Sequence, residues 1–521
     1  MFIHLNTQII LVSLLLMTSV HGQDIYSDIT ESANFNAVHS DGGVLTLGNI
    51  GTGQAFIDIN KDGLLDIVVS NQVGPNKLFV NQGDESFVEL DQFQNIGVPE
   101  SLCKGVSVAD YNNDGWDDIY FSCMGQDYLF KNINGNSLLD VTAQAGIDNP
   151  YNAQASAWAD INSDGWLDIY VINYDVGTEI QGSISGDPVA DMFYLSNGDG
   201  TFTNIIADLA ASQTMKPNLA VTFFDYDNDG DLDLYVLSDK LRENVLWRNE
   251  GVAHEDCGLH WCFQDVSEVS NTNIPVFGMG IAVGDVDNDG DYDLYFSSVL
   301  EQKILINQVS QGQEVFLDVS AESALNIAAV GWGTLFFDYN NDAWLDAYVA
   351  THNDTIELSD SLFLNNQDGS FTNVTATCGA TNTLSSEGVA HGDINNDGKM
   401  DIVLANRNVN YQLFKNDSLN TNNWIKIKLI GANDINKNAI GSKVIIKTDD
   451  GISQIRTVTS GSSRGAGNEI TLHFGLGSSN ISSIQIIWSS GIIQDVSSMV
   501  VNQLIVVNYA DFDVVFSAGF E

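Results

Sequence analysis

Apolar and polar positions alternate in short runs along most of the chain. VSVAD, AVTFFD and GIAVGD each lead into a polar turn, and DIVVS, DIYVIN and DLYVLS lead out of one. Alternating β-branched and aromatic residues either side of a tight turn predict strand–loop–strand. Two further strand-like runs accompany each turn. An LF-x-N run recurs at residues 78–81, 129–132, 192–197, 245–249, 304–307, 362–365 and 413–416. An F-x-D-V-T run recurs at 138–142, 202–206, 263–267, 316–320 and 371–375, with looser copies at 25–30 and 87–91.

The turn itself is a nine-residue loop found seven times, first as Asp58-Ile-Asn60-Lys-Asp62-Gly-Leu64-Leu-Asp66. The starts are 52, 50, 65, 60, 53 and 55 residues apart. Four strand signals in each such unit fit one propeller blade, and seven units fit a closed ring over residues 23–418. The F-x-D-V-T run precedes the first loop and does not follow the seventh. The N-terminal strand is therefore expected to complete the last blade, leaving no free edge.

Positions 1, 3, 5 and 9 of the loops are Asp or Asn throughout. They are Asp58, Asn60, Asp62 and Asp66 in the first loop, Asp110, Asn112, Asp114 and Asp118 in the second, and Asp160, Asn162, Asp164 and Asp168 in the third. The fourth has Asp225, Asp227, Asp229 and Asp233, and the fifth Asp285, Asp287, Asp289 and Asp293. The sixth has Asp338, Asn340, Asp342 and Asp346, and the seventh Asp393, Asn395, Asp397 and Asp401. Oxygens at alternate positions of a tight turn converge on one point. Position 7 (Leu64, Trp116, Trp166, Asp231, Asp291, Trp344, Lys399) can add its backbone carbonyl, and Gly at position 6 permits a positive φ. Hard oxygens in a flexible cage select Ca²⁺ over Mg²⁺. Twenty-three carboxylates stand at the side-chain positions, a crowding that repels itself without a cation.

Up to seven Ca²⁺ are expected. The fourth and fifth loops, with four acids each, should bind best, and the sixth, with Ala343 in place of Gly, weakest or not at all. Extracellular sites of roughly 10⁻⁴ M affinity contribute about 1.4 kcal/mol each in millimolar Ca²⁺, so the set approaches ~10 kcal/mol. That magnitude suits a structural role. Nothing in the pattern resembles an open metal position beside a base.

Composition narrows the function classes. The chain has 521 residues with 19 Lys+Arg against 69 Asp+Glu, a formal charge of −50 that seven Ca²⁺ would bring to −36. That excludes a nucleic-acid binder and argues against docking on anionic membrane. With 44% hydrophobic and 10% aromatic residues it is no disordered acidic tail. Residues 9–20 form a short apolar run ahead of Val20-His21-Gly22, which reads as a signal peptide spanning residues 1–22. Twelve apolar residues are too few for a membrane span, so the mature protein is expected to be secreted and soluble, at the cell surface or in a periplasm. Cys103 with Cys123, and Cys257 with Cys262, could form disulfides, leaving Cys378 over.

The strict repeat stops after Asn416. Residues 424–508 hold several short strand signals separated by Gly and Ser, a second small β-sandwich-like domain, and 509–521 form an acidic, aromatic tail. The Asp loops between strands resemble FG-GAP/VCBS repeats, the calcium-binding blades of integrin α-subunit heads. Ile440-Gly441-Ser442-Lys443-Val444, Ser460-Gly461-Ser462, His473-Phe474-Gly475-Leu476-Gly477, Trp488-Ser-Ser-Gly491 and Asn502-Gln503 resemble the ASPIC/UnbV domain. Ser489 and Ser442 stand where that domain usually has Pro and Ala. The order of the two resembles the cartilage acidic protein family. The resemblance implies an extracellular calcium-binding propeller without established enzymatic activity. No Arg-Gly-Asp is present, and no integrin-type ligand recognition is implied.

The expected task is binding or adhesion, to an extracellular protein or glycan. The alternative is a lectin or a carbohydrate-active enzyme, a polysaccharide lyase or hydrolase, on the same scaffold. Trp116, Trp166 and Trp344 could stack on sugar rings or pack on neighbouring blades. Asp117, Asp231 and Asp291 are additional acids beside the loops. His254, Cys257, His260 and Cys262 have the residue types of a zinc site without a standard spacing, and a disulfide loop suits the compartment better. His391 reads as core, and His473 as packing or capping. The insertion 173–191 in the third unit is the expected place for a specific binding loop. Asn353, Asn373 and Asn480 begin glycosylation motifs.

Overall fold

The structure is a computed structural model describing residues 26–40, 51–98, 102–174, 178–180, 183–185, 189–209, 215–251, 262–299, 301–327, 329–352, 359–380, 382–497, 500–509 and 514–516. The signal reading, Cys257, His254, His260 and Asn353 lie outside the described residues. In the first sheet Gln54–Ile57, Asp66–Val69, Lys77–Asn81 and Phe87–Glu89 are neighbours in sequence order, all antiparallel. Six more sheets repeat that order, their innermost strands being Leu102–Ala109, Ala153–Ala159, Asn218–Phe224, Ile281–Gly284, Val330–Phe337 and Ser386–Gly392. The acidic loop always joins the innermost strand to the second, and position 9 is the first residue of that second strand.

The innermost strands touch in a closed cycle, the seventh returning to the first, so the sheets are the blades of a β-propeller. Each blade buries both faces against its neighbours. Ile57, Val68 and Leu78 of the first pack with Val106, Ile119 and Phe130 of the second. Phe56, Ile67 and Phe79 pack with Ala390, Val403 and Leu413 of the seventh. Closure comes from the N-terminus, as the phase of the repeats predicts. Tyr26–Asp28 is the outer strand of the seventh sheet, with Tyr26 opposite Asn416 and Asp28 opposite Phe414.

Cys103 and Cys123 face each other on adjacent strands and form a disulfide. Cys262 is also disulfide-bonded, and Cys378 is a buried thiol. In the insertion, Thr178–Ile180 and Ser183–Ser185 form a separate two-stranded ribbon.

The C-terminal region is a sandwich of two four-stranded sheets. One contains Leu472–Gly477, Asn423–Ile430, Gln503–Asn508 and Val514–Phe516, with Asn423–Ile430 and Gln503–Asn508 parallel. The other contains Ser453–Thr457, Lys443–Thr448, Ile481–Ile487 and Ile493–Val496. Val514–Phe516 gives the acidic tail a place, as an edge strand of the first sheet. Among the described residues no helix is long and apolar enough to cross a membrane.

Candidate metal-binding loops

All seven loops adopt one backbone conformation. Position 4 is left-handed in each, from Asn113 at φ 56° to Asn228 at 61°, and position 6 has φ between 79° and 98°. Asn tolerates the first setting and Gly the second. Ala343 takes φ 80° at position 6 of the sixth loop, so that loop keeps the shared shape at a steric cost. Its N–H still reaches Asp338 Oδ2 at 2.8 Å, as Gly63 N–H reaches Asp58 Oδ2 at 3.2 Å. Ala343→Gly is expected to raise stability by up to about 1 kcal/mol, the relief of strain exceeding the added chain entropy. It would be read as a higher urea midpoint at unchanged slope; a lower midpoint would show that the buried methyl of Ala343 is worth more than the strain.

Local hydrogen bonds aim the acids inward. Position 7 donates its N–H to Oδ1 of position 5 in every loop, at 2.9–3.3 Å. The position-9 carboxylates are fully buried and join three parts of each blade. Oδ1 accepts the N–H of the last residue of the third strand at 2.7–2.9 Å in all seven. Oδ2 accepts the N–H of position 2 in six of them, at 2.9–3.3 Å. Each carboxylate oxygen has a second lone pair, so these bonds leave acceptor capacity facing the loop.

Electrostatically the loops carry three or four acids each at positions 1, 3, 5 and 9, a negative charge their own residues do not balance. Burial pushes Asp66 and Asp285 up to about 8, and Asp110 and Asp160 up to about 7. Burial likewise holds Asp118, Asp168, Asp233, Asp293 and Asp401 well above the usual carboxylate range. A bound cation reverses that logic, because it favours the ionised form. In the fourth loop, oxygens of Asp225, Asp227 and Asp233 lie within 4.8 Å of one another, and in the fifth those of Asp285, Asp287 and Asp289 do. Asp225 Oδ1, Asp287 Oδ1 and Asp291 Oδ1 are buried with no hydrogen-bond partner among the described residues. A set of converging hard oxygens, some of them desolvated and unpaired, fits a divalent cation such as Ca²⁺.

Two asparagine positions link neighbouring blades, a role the sequence pattern alone does not assign. The Asn that ends the third strand donates its side-chain amide to the position-2 carbonyl of the preceding blade's loop. Asn132 reaches Ile59 O, Asn307 reaches Tyr226 O, and Asn81 closes the ring onto Ile394 O, six links in all at 2.7–2.9 Å. The third blade has Ser196 at this place; Asn197, which the LF-x-N pattern matches there, lies one residue beyond the strand. Position-4 Asn side chains reach the position-6 carbonyl of the next loop in five cases, at 2.8–3.2 Å. Lys61 and Ser163 occupy position 4 in the other two loops.

The C-terminal sandwich sits on the loop-bearing face of the ring. Residues 424–508 hold seven Lys and Arg against five Asp and Glu, the reverse of the rest of the chain. Lys443 Nζ lies 2.9 Å from Asp225 Oδ2, and Lys426 Nζ 3.2 Å from Asp393 Oδ2 and 2.7 Å from Glu469. Asn438 bonds Asp117 Oδ1 at 2.7 Å and accepts the N–H of Asp110 at 2.6 Å. His473 Nε2 meets Gly398 O at 3.1 Å, and His391 stacks on Phe337. Burial lowers both imidazoles to about 3, so they stay neutral near pH 7. Trp116 lies between Lys61, 4.5 Å from its ring, and Gly135. Trp166 packs on Gly198, and both indoles, like Trp344, are partly exposed. Asp291 Oδ2 accepts Ser310 N–H at 2.9 Å.

Residues 58–121, 110–171, 183–236 and 338–404 match the FG-GAP-like repeat family, and residues 432–513 match the ASPIC and UnbV family. Over 493 residues the chain is 23% identical to cartilage acidic protein 1 of Mus musculus, covering 88% of this chain and 73% of that one. Over 504 residues it is 22% identical to cartilage acidic protein 1 of Homo sapiens, covering 88% and 72%. Among solved structures it is similar to the BP39L lectin of Burkholderia pseudomallei, with TM-score 0.44 and 10% identity over 68% of this chain and 93% of that one. It is also similar to an Agrocybe aegerita lectin that recognises non-reducing terminal N-acetylglucosamine, with TM-score 0.39 and 16% identity over 64% and 80%. The chain is thus an FG-GAP-repeat β-propeller with a C-terminal ASPIC and UnbV domain, similar over most of its length to the cartilage acidic proteins.

Proposed function

We propose that the protein is a secreted, calcium-binding propeller that serves as an extracellular binding or adhesion module and carries out no reaction of its own. The observation that supports this reading is the convergence of carboxylates in the fourth and fifth loops, with Asp225 Oδ1 and Asp287 Oδ1 buried and without a hydrogen-bond partner among the described residues. Positions 1, 3, 5 and 9 with the position-7 carbonyl would hold each ion, which neutralises the loop and ties the two inner strands together. The partner is an extracellular protein or glycan; the −50 charge disfavours nucleic acid and anionic membrane.

Native mass spectrometry of the mature protein in Ca²⁺ should count six or seven ions, the sixth loop contributing weakest. Glycan-array and matrix-protein binding, run with and without chelator, should show calcium-dependent capture without turnover. Absence of bound ions would sink the metal reading. Appearance of unsaturated sugar products would replace the binding module with a lyase.

A further inference from the structure

The segment between Ser453–Thr457 and Leu472–Gly477 leaves the sandwich and runs into the axial channel of the propeller. Ser462 and Ala466 exchange backbone hydrogen bonds and close a tight turn. Five innermost strands bond to this segment through their backbones: Phe56 to Gly467, Val106 to Gly465, Trp158 to Ser460, Ile281 to Ser463 and His391 to Glu469. The other two bond to its side chains. Thr334 N–H donates to Ser463 Oγ, and the Leu219 carbonyl accepts from Arg464. One segment therefore touches all seven blades, pairing inner strand edges that would otherwise face the channel unsatisfied. The fit leaves no room for side chains: a Cβ on Gly53 would stand 2.0 Å from Gly465 O, and one on Gly461 2.3 Å from Ser156 O.

Arg464 is the tip of the segment and is 3% exposed. Its guanidinium carbon lies 4.6 Å from the centroid of the Trp332 ring. Nη1 donates to Leu219 O at 3.2 Å and Nη2 to Gln154 Oε1 at 3.4 Å, while the carboxylates of Glu387 and Asp239 supply opposite charge. A flat cation over an indole, with acceptors reached by its outer nitrogens, is a geometry that suits guanidinium and not ammonium.

We propose that the propeller's axial channel contains a guanidinium-binding site, formed by Trp332, Gln154, Glu387 and the Leu219 carbonyl, and that Arg464 fills it in cis to lock the C-terminal domain onto the ring. The site shares no residue with the metal loops. An arginine side chain offered by another molecule would have to displace the hairpin to enter it.

The test uses full-length Arg464→Ala and Arg464→Lys proteins, melted in millimolar guanidinium chloride and in matched methylammonium chloride. Arg464→Ala should melt lower than the parent and recover at least half the loss with guanidinium but none with methylammonium. Arg464→Lys should melt as low as Arg464→Ala. Equal response to the two salts, or a Lys variant as stable as the parent, overturns the site. Trp332→Leu keeps an apolar side chain but removes the stacking face, and serves if Arg464→Ala does not fold. Trypsin should cut this variant after Arg464 roughly tenfold faster than the parent, because the hairpin opens more often; unchanged cleavage overturns the proposal.

Discussion

Removing Ca²⁺ is expected to lower the thermal unfolding midpoint of the mature protein by roughly 10 °C. The expectation follows from the number of sites. Each loop of about 10⁻⁴ M affinity gains about 1.4 kcal/mol in millimolar ion, and the set gains ~10 kcal/mol. A chain of this size loses entropy on folding at about 2.1 cal/mol/K per residue, which converts that energy to the stated shift. Calorimetry in millimolar Ca²⁺, in chelator and in Mg²⁺ checks it. Mg²⁺ should restore little, because it demands near-ideal octahedral geometry and gives up its water reluctantly, whereas Ca²⁺ accepts an irregular cage of oxygens. Asp225→Asn with Asp285→Asn should remove two ions and a matching share of the shift, since these residues begin the loops where three acids converge. An identical midpoint in all three buffers would leave the acidic loops as turns and nothing more.

Much of this architecture is legible in the residues, because the information is local and repeated. Nine-residue loops with Asp at both ends mark the turn between inner strands, and the phase of the F-x-D-V-T run foretells that Tyr26–Asp28 completes the last sheet. What stays hidden depends on long-range placement. The terminal Asn of the LF-x-N run recurs visibly, yet its bond to the preceding blade's carbonyl, as from Asn132 to Ile59, exists only once the ring is assembled. Lys443 meets Asp225 across 218 positions of sequence. Ser460-Gly461-Ser462 reads as a domain signature in the sequence; in the fold its glycine makes the close approach that lets Arg464 reach the axis. Ala343 marks the sixth loop as the weakest expected ion site; its backbone still adopts the glycine conformation, because Asp338, Asp342 and the strand ends overdetermine the turn.

Lys426→Met is expected to cost about 3–5 kcal/mol, the loss typical of breaking a buried ion pair from one side. Lys426 is 1% exposed and is the ammonium shared by Asp393 and Glu469. Burial opposes its charge, but the two carboxylates outweigh that and hold its affinity for the proton above the ordinary value. Burial also raises Glu469, against the pull of Lys426, so the group is one positive charge short even when intact. Methionine preserves the stem's packing and removes the charge, leaving two buried acids with backbone N–H donors but without their shared cation. The cost should be largest in chelator, because an ion in the seventh loop would take over part of the Asp393 charge. Urea unfolding of Lys426→Met, Glu469→Gln and the double variant forms a cycle that isolates the pair. The double variant should be more stable than Lys426→Met alone, since it buries one acid fewer. If Lys426→Met costs less than about 1 kcal/mol, the ammonium is worth no more than a surface pair. Docking of the sandwich would then rest on the hairpin in the channel, on packing, and on the contacts of Lys443 and Asn438 with the loops.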